Sequence, residues 1–181
     1  MAEGYQIRDQ EGIYFLTFQI VNWVDIFTRK ECRDVIIESM IYCQRHKQLI
    51  IYAYVIMSNH VHVIISSESA KLSDTDRDFK THTSKKLIKT IYEISESRRD
   101  WMLDIFKFRA RKHKRNQMYQ VWTHDNHPVE LTNNIMMEQR LDYIHNNPVK
   151  AAIVSEPEYY LYSSAIDYTG EIGLIDITHL E

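Results

Sequence analysis

The sequence predicts an α+β fold in which helices layer an antiparallel sheet of ferredoxin-like (RRM-like) β-α-β-β-α-β type. Three observations carry this. Short segments rich in β-branched and aromatic residues alternate with longer segments of helical period. Two strand-like segments, "LIIYAYVIM" and "HVHVIISS", are separated only by Ser58 and Asn59, residue types at home in a tight turn, so a hairpin is expected. Finally, 181 residues enclose one substantial core, so a single domain over residues 1–181 is expected rather than two.

The elements follow in order. "GIYFLTFQIVN", residues 12–22, reads as the first strand. In "TRKECRDVIIESMIYCQRHKQ", Thr28 and Glu31 have capping-box spacing, and Cys32, Val35, Ile36, Ser39, Met40 and Cys43 fall on one helical stripe that packs on a sheet. The hairpin comes next. "SDTDRDFKTHTSKKLIKTIYEI" then has acids at its start, lysines further along, and Phe79, Thr83, Leu87 and Ile91 at helical spacing. "SRRDWMLDIFKF" continues as a shorter helix with Trp101, Ile105 and Phe108 aligned. A further strand is expected at "NQMYQVWTH", residues 116–124. "NNIMMEQRLDYIHNNPVK" reads as a helix opened by Asn133 or Asn134 and stopped near Asn147, because Pro148 disfavours helical geometry in the residue before it. The tail, residues 151–181, is aromatic and then acidic and is expected to wrap over the domain.

Composition narrows the class. Hydrophobic residues make up 44% and charged residues 26%, as in soluble globular proteins. No run approaches the roughly 18 apolar residues of a membrane span, and "MAEGYQIRDQ" lacks a signal-peptide core, so a cytoplasmic location and no membrane partner are expected. Cys32 and Cys43 share one predicted helix about 16 Å apart, too far to bridge, which agrees with a reducing compartment. The net charge of -3 hides an asymmetry. Residues 71–115 hold fourteen Lys/Arg against seven Asp/Glu, whereas residues 151–181 hold six acids and no Lys or Arg. "KFRARKHKR", residues 107–115, is the densest cationic stretch and suits either a solvated helix end or a polyanion.

Within the apolar hairpin sits "SNHVH", residues 58–62. Strand side chains alternate faces, so His60 and His62 point the same way with α-carbons about 6.6 Å apart. Two imidazoles at this separation can converge on one divalent ion, in an H-hydrophobic-H (HUH) arrangement. In "LDYIHNNPVK", Tyr143 and Asn147 are i and i+4 on one helix face, with Met136 and Arg140 near the same stripe and Met137, Leu141 and Ile144 on an adjacent apolar one. If that face meets the histidines, Asn147 supplies a third ligand oxygen and the Tyr143 phenol reaches a substrate bound there.

The chain resembles the HUH single-tyrosine transposases of insertion-sequence type, and especially the REP-associated tyrosine transposases. The resemblance rests on "YAYVIMSNHVHVII", "RDFKTHTSKKL", "VWTHDNHPVEL", "LDYIHNNPVKAAIV" and "EYYLYSSAIDY", and covers most of the chain. It implies the HUH endonuclease fold, metal ligation by His60, His62 and Asn147, and Tyr143 as nucleophile. Two departures stand out: Ser58 where the family often has proline, and Ala152 where glycine is common. Neither is expected to touch the chemistry.

The implied activity is cleavage and rejoining of single-stranded or hairpin DNA through a 5′-phosphotyrosine link, with Mg²⁺ or Mn²⁺ as cofactor, although zinc also binds such nitrogens. Lys85, Lys86, Lys89, Arg109, Arg111, Lys112, Lys114 and Arg115 are then the expected phosphate contacts. Trp122 and Tyr119 are candidates to stack on bases, Trp122 having sheet packing as its competing role. The spacing of His124 and His127 suits a second metal site, but no cysteine or additional carboxylate pattern supports one, so loop or DNA-contact roles are expected first; His145, facing away from Tyr143, is left out of the catalytic set. In the family it resembles, the insertion-sequence branch forms dimers that place the tyrosine helix against the partner's histidines, whereas the REP-associated branch can act as a monomer; the tail resembles the latter, and a monomer or a homodimer is expected. Histidine-triad nucleotide hydrolases need a third alternating histidine, and position 64 is Ile64. A DNA-binding regulator that keeps the fold without cutting is the remaining alternative.

Overall fold

The computed structural model of the chain describes residues 6–112 and 118–180. In chain order the elements are β1 (Tyr14–Gln19), α1 (Lys30–Lys47), β2 (Leu49–Ile56), β3 (His60–Ser67), α2 (Leu72–Glu93), α3 (Arg99–Arg111), β4 (Val129–Glu130) and α4 (Asn134–Lys150). The sheet order is β2-β3-β1-β4 with every pairing antiparallel, as the ferredoxin-like reading requires. Residues opposite each other in an antiparallel ladder share a face. Leu16 and Phe18 therefore point with Val63 and Val61 to one side, where the Phe18 ring lies 5.1 Å from Phe79 of α2. Thr17 and Gln19 point with His62 and His60 to the other side, over which α4 packs on β2 and β3. A bulge between Ile51 and Ala53 shifts the β2–β3 register near the middle of β2.

Helix α1 buries all six residues of its predicted stripe, and α2 buries Phe79, Thr83, Leu87 and Ile91. Cys32 and Cys43 are free and buried. The capping box is absent: Thr28 closes a 3₁₀ turn, so its hydroxyl donates back to the Asp25 carbonyl at 3.0 Å instead of forward into α1. Arg29 takes the cap position and its guanidinium meets the buried Glu96 at 2.7 Å. That bond, with Arg98 also on Glu96, holds the carboxyl down at about 2. Helix α3 is rotated from the sequence expectation. It buries Met102, Leu103, Phe106 and Ala110, while Trp101 and Phe108 are exposed.

The fourth strand is not at residues 116–124. Val129 and Glu130 pair with Phe15 and Tyr14 instead. Residues 116 and 117 of the expected strand lie outside the described residues, and Trp122 makes one isolated bridge to Ile20. Val121 and Trp122 are nonetheless buried, because the segment lies along the end of β1 and Trp122 packs on Phe18 and Phe27. Apolar character marked burial there, not a ladder.

Helix α4 begins as expected, with the Asn133 side chain accepting from the Met136 amide. It then runs through Pro148 to Lys150 rather than stopping at Asn147. Pro148 is buried, and the closing bonds from Ala151, Ala152 and Ile153 to Asn147, Val149 and Pro148 carbonyls hold the last turn. The helix ends where Ala152 turns left-handed at φ 56°, a conformation that favours glycine.

The tail does wrap over the domain, along the outer edge of β2. The Tyr168 hydroxyl donates to the Tyr52 carbonyl, and Ser164 Oγ serves both the amide and the carbonyl of Tyr54. The Ile56 amide donates to the Tyr162 carbonyl, while the Tyr160 hydroxyl donates to the Ile56 carbonyl at 2.6 Å. Among the described residues no helix is long and apolar enough to cross a membrane.

Candidate active site on the α4 face of the sheet

The two histidines open β3 directly after the Ser58–Asn59 turn, and strand alternation sends both rings to the α4 face. Their ring centroids are 4.6 Å apart. His62 is 5% exposed and stacks on Phe15 at 5.3 Å. Its Nδ1 meets the Thr17 hydroxyl at 2.8 Å, while His60 Nδ1 meets Asn59 Oδ1 at 2.8 Å. Burial pushes the His62 imidazole down to about 3, with the neighbouring His60 and Arg140 adding to the effect, and burial lowers His60 as well. Both rings are thus neutral at pH 7. Each uses Nδ1 in a hydrogen bond, which leaves Nε2 as the nitrogen open to a ligand.

Helix α4 brings the tyrosine to the same place. Ile144 and Pro148 are buried, and Met137 and Leu141 pack partly buried on the core, so the helix is seated by the apolar stripe expected of it. Tyr143 then lies edge-on to His62, with ring centroids 5.2 Å apart, and 6.0 Å from Phe15. Tyr143 keeps 38% of its surface exposed, so its ring is walled by the site yet reachable. Asn147 follows one turn later and is half-buried. Two cations stand by these rings: Arg140 lies 4.8 Å over the Phe15 ring, and the Lys150 ammonium lies 5.7 Å over the Tyr143 ring. One chain therefore gathers both imidazoles and the phenol without a second copy.

Among the described residues no group of three or more His, Cys, Asp or Glu is placed to hold a metal. The candidate donors here are instead two neutral imidazoles, each oriented through its second nitrogen, with the half-buried Asn147 on the adjoining helix as the expected third. That set fits a divalent ion that keeps open positions for water or phosphate.

Among the described residues, the cations of α2 are not gathered around the histidines. Lys85, Lys86 and Lys89 lie exposed on α2, which packs on the opposite side of the sheet. Lys86 pairs with Glu38 at 3.6 Å and Lys89 with Glu93 at 3.5 Å. Lys85 borders a groove of about 600 Å³ between α2 and residues 118–124, whose lining includes Lys80 and His124 and no Asp or Glu. Arg109 and Arg111 end α3, and Lys112 lies 4.4 Å over the Phe108 ring. Lys114 and Arg115 fall outside the described residues. Trp122 is 3% exposed and donates through Nε1 to Thr83 Oγ1 at 2.9 Å, so of its two expected roles packing is the one the structure shows. Tyr119 shares a 2.8 Å hydrogen bond with Tyr92. His127 lies 3.6 Å from Asp125. His145 turns away from Tyr143 to Ser164 at 3.0 Å, as expected, and burial pushes it down to about 4.

Phe15, Thr17 and Lys150 escaped the sequence reading. Lys150 was within reach of it, since positions 140, 143, 147 and 150 share one helical face. Phe15 and Thr17 carry the strand alternation that puts them opposite Ile64 and His62, but that register is set by the β1–β3 pairing, not by local sequence.

Comparison with known proteins agrees with this architecture. Over its whole length the chain superposes on a solved structure, that of a REP-associated tyrosine transposase bound to a REP hairpin, with a TM-score of 0.61, 19% identity and 96% of that chain covered. At that identity the likeness speaks for the fold. No curated protein matches the chain. The family model described as "Transposase IS200 like" matches residues 13–147, a span that runs from the start of β1 through Tyr143 to Asn147. The chain therefore belongs to the IS200-like transposase family.

Proposed function

We propose that the protein is a metal-dependent transposase that cleaves and rejoins single-stranded DNA at hairpin or palindromic sites, through a covalent 5′-phosphotyrosine link to Tyr143. The observation that carries this reading is the meeting, within one chain, of the Tyr143 ring with His62 at 5.2 Å and of His62 with His60 at 4.6 Å. His60, His62 and Asn147 would hold Mg²⁺ or Mn²⁺. When bound, the ion supplies positive charge beside the phosphate and offsets the negative charge that develops there.

The remaining steps belong to the chain. Tyr143 gives up its phenolic proton and its oxygen attacks phosphorus; the new O–P bond forms as the bond to the 3′-oxygen breaks, and that oxygen leaves with a proton. Attack on the tyrosyl phosphate by a 3′-hydroxyl reverses the step and reseals a strand. Arg140 and Lys150, beside the Phe15 and Tyr143 rings, contact the flanking phosphates. The groove beside Lys85 would take a passing strand, and Arg109, Arg111, Lys112, Lys114, Arg115, Lys86 and Lys89 are the further phosphate contacts this reading expects. Because both imidazoles and the Tyr143 ring meet within one chain, this reading needs no more than a monomer. The hairpin held by the structural neighbour supports a hairpin as the DNA partner.

The test is incubation with end-labelled single-stranded hairpin DNA and Mn²⁺. The expected result is a denaturation-resistant protein–DNA adduct that Tyr143→Phe abolishes. A salt-sensitive complex with no adduct, under any divalent ion, would instead identify a DNA-binding regulator that keeps the fold.

A further inference from the structure

We propose that Asp25 and Asn59 are positioning residues that hold His60 as its Nδ1–H tautomer and so reserve Nε2 for the metal; the inference rests on the metal reading of His60 above. It follows from donor and acceptor identities. The Asp25 carboxylate can only accept, and its Oδ1 receives the Ser58 hydroxyl at 2.7 Å and the Asn59 side-chain amide at 3.0 Å. The same Asn59 nitrogen also faces the Trp23 carbonyl at 3.4 Å, a second acceptor. Turning the amide over would set its oxygen against a carboxylate and a carbonyl, so its orientation is fixed by its partners. Asn59 Oδ1 must then face His60 Nδ1, at 2.8 Å, as an acceptor. An acceptor at 2.8 Å requires a proton on Nδ1, and a neutral imidazole with that proton has its lone pair on Nε2.

The relay is anchored at both ends. Backbone bonds from Phe27 to the Ser58 carbonyl and from Ile20 to the Asn59 carbonyl, each 2.9 Å, clamp the turn onto the segment that carries Asp25. Ser58, the residue that stands in place of the family's frequent proline, adds a hydroxyl that proline lacks, and this hydroxyl orients the carboxylate. His62 has no equivalent. Its Nδ1 faces the Thr17 hydroxyl, which can donate or accept, so Thr17 places the ring without dictating where its proton sits.

The experiment uses the metal-free full chain and long-range ¹H–¹⁵N correlation of its imidazoles at pH 8, followed by calorimetric titration with Mn²⁺. In the wild type, His60 is expected in the Nδ1–H form. Asp25→Asn lets the Asn59 amide turn over, so His60 should move toward the Nε2–H form and Mn²⁺ affinity should fall about 10- to 100-fold. The exchange D25N with N59D puts an acceptor-only carboxylate at position 59, which receives both the amide of position 25 and Nδ1–H of His60, and should restore both readouts; it also separates the relay from a simple loss of folding. A His60 tautomer that D25N leaves unchanged overturns the proposal, as does a shifted tautomer with unchanged Mn²⁺ affinity or a double exchange that rescues neither. Loss of DNA cleavage with an intact tautomer pattern and intact Mn²⁺ binding would count against the transposase reading alone.

Discussion

Lowering the pH from 7 to 5 should destabilise the metal-free chain through its buried histidines. His62 is held neutral by burial down to about 3 and His145 down to about 4, against 6.5 for an exposed imidazole. In this window the unfolded chain binds protons that the folded chain refuses, so stability is present above pH 6.5 and falls as pH drops. Integrated from pH 7 to 5, each histidine removes about 2 kcal/mol. Asp76 opposes them: burial raises its carboxyl to about 6, so the folded state takes up its proton first and regains about 1 kcal/mol over the same interval. The net loss is about 2 to 3 kcal/mol, with His60 adding to it in the same direction. Urea unfolding in the presence of a chelator, followed by tryptophan fluorescence at both pH values, measures this directly. His62→Gln or His145→Gln should each remove a large part of the pH dependence, whatever its effect on stability at pH 7. Equal or greater stability at pH 5, or variants that keep the full dependence, would refute the burial argument.

Ala152→Gly should stabilise the fold by about 0.5 to 1 kcal/mol, since the left-handed alanine costs about 1 to 2 kcal/mol and the added freedom of glycine when unfolded returns part of that; thermal unfolding reads it. Trp122→Ala should cost about 3 to 5 kcal/mol by emptying the space between Phe18, Phe27 and Thr83, seen as an early urea midpoint. Arg140→Ala should weaken hairpin binding and lower the salt slope by about 1 if its guanidinium meets a phosphate; filter binding across salt concentrations decides. Thr17→Val should leave the sheet intact yet weaken Mn²⁺ binding, read by calorimetry, because His62 Nδ1 loses its hydrogen bond with the Thr17 hydroxyl.

Most of the fold was legible because periodicity reports burial. The α1 and α2 stripes, the hairpin at Ser58–Asn59 and the cap at Asn133 all follow from local pattern. Where local pattern and tertiary demand part, the reading failed. Val121 and Trp122 look like strand residues because they are buried, yet the ladder falls to Val129 and Glu130, whose two residues carry little β signal. Trp101 and Phe108 look like a core stripe, but Met102, Phe106 and Ala110 are the ones turned inward. At the site, the facing of His60 and His62 follows from alternation, and their neutrality from the apolar run that contains them. Which strand supplies Thr17 and Phe15 depends on long-range register. Asp25 reaches the site through a 3₁₀ turn that sequence does not announce.

Strand β2 is at the edge of the sheet, and the Tyr52 carbonyl and the amides and carbonyls of Tyr54 and Ile56 are satisfied by the tail. A bare edge of that kind is a template for adding a stranger's strand. Residues 160–168 therefore act as a guard: clipping them would uncover main-chain donors and acceptors beside a wholly apolar stretch, "VIM", and shortened products would be expected to stick to one another before they unfolded. The stretch with no Lys or Arg thus covers an edge that would otherwise be open to another copy of the chain.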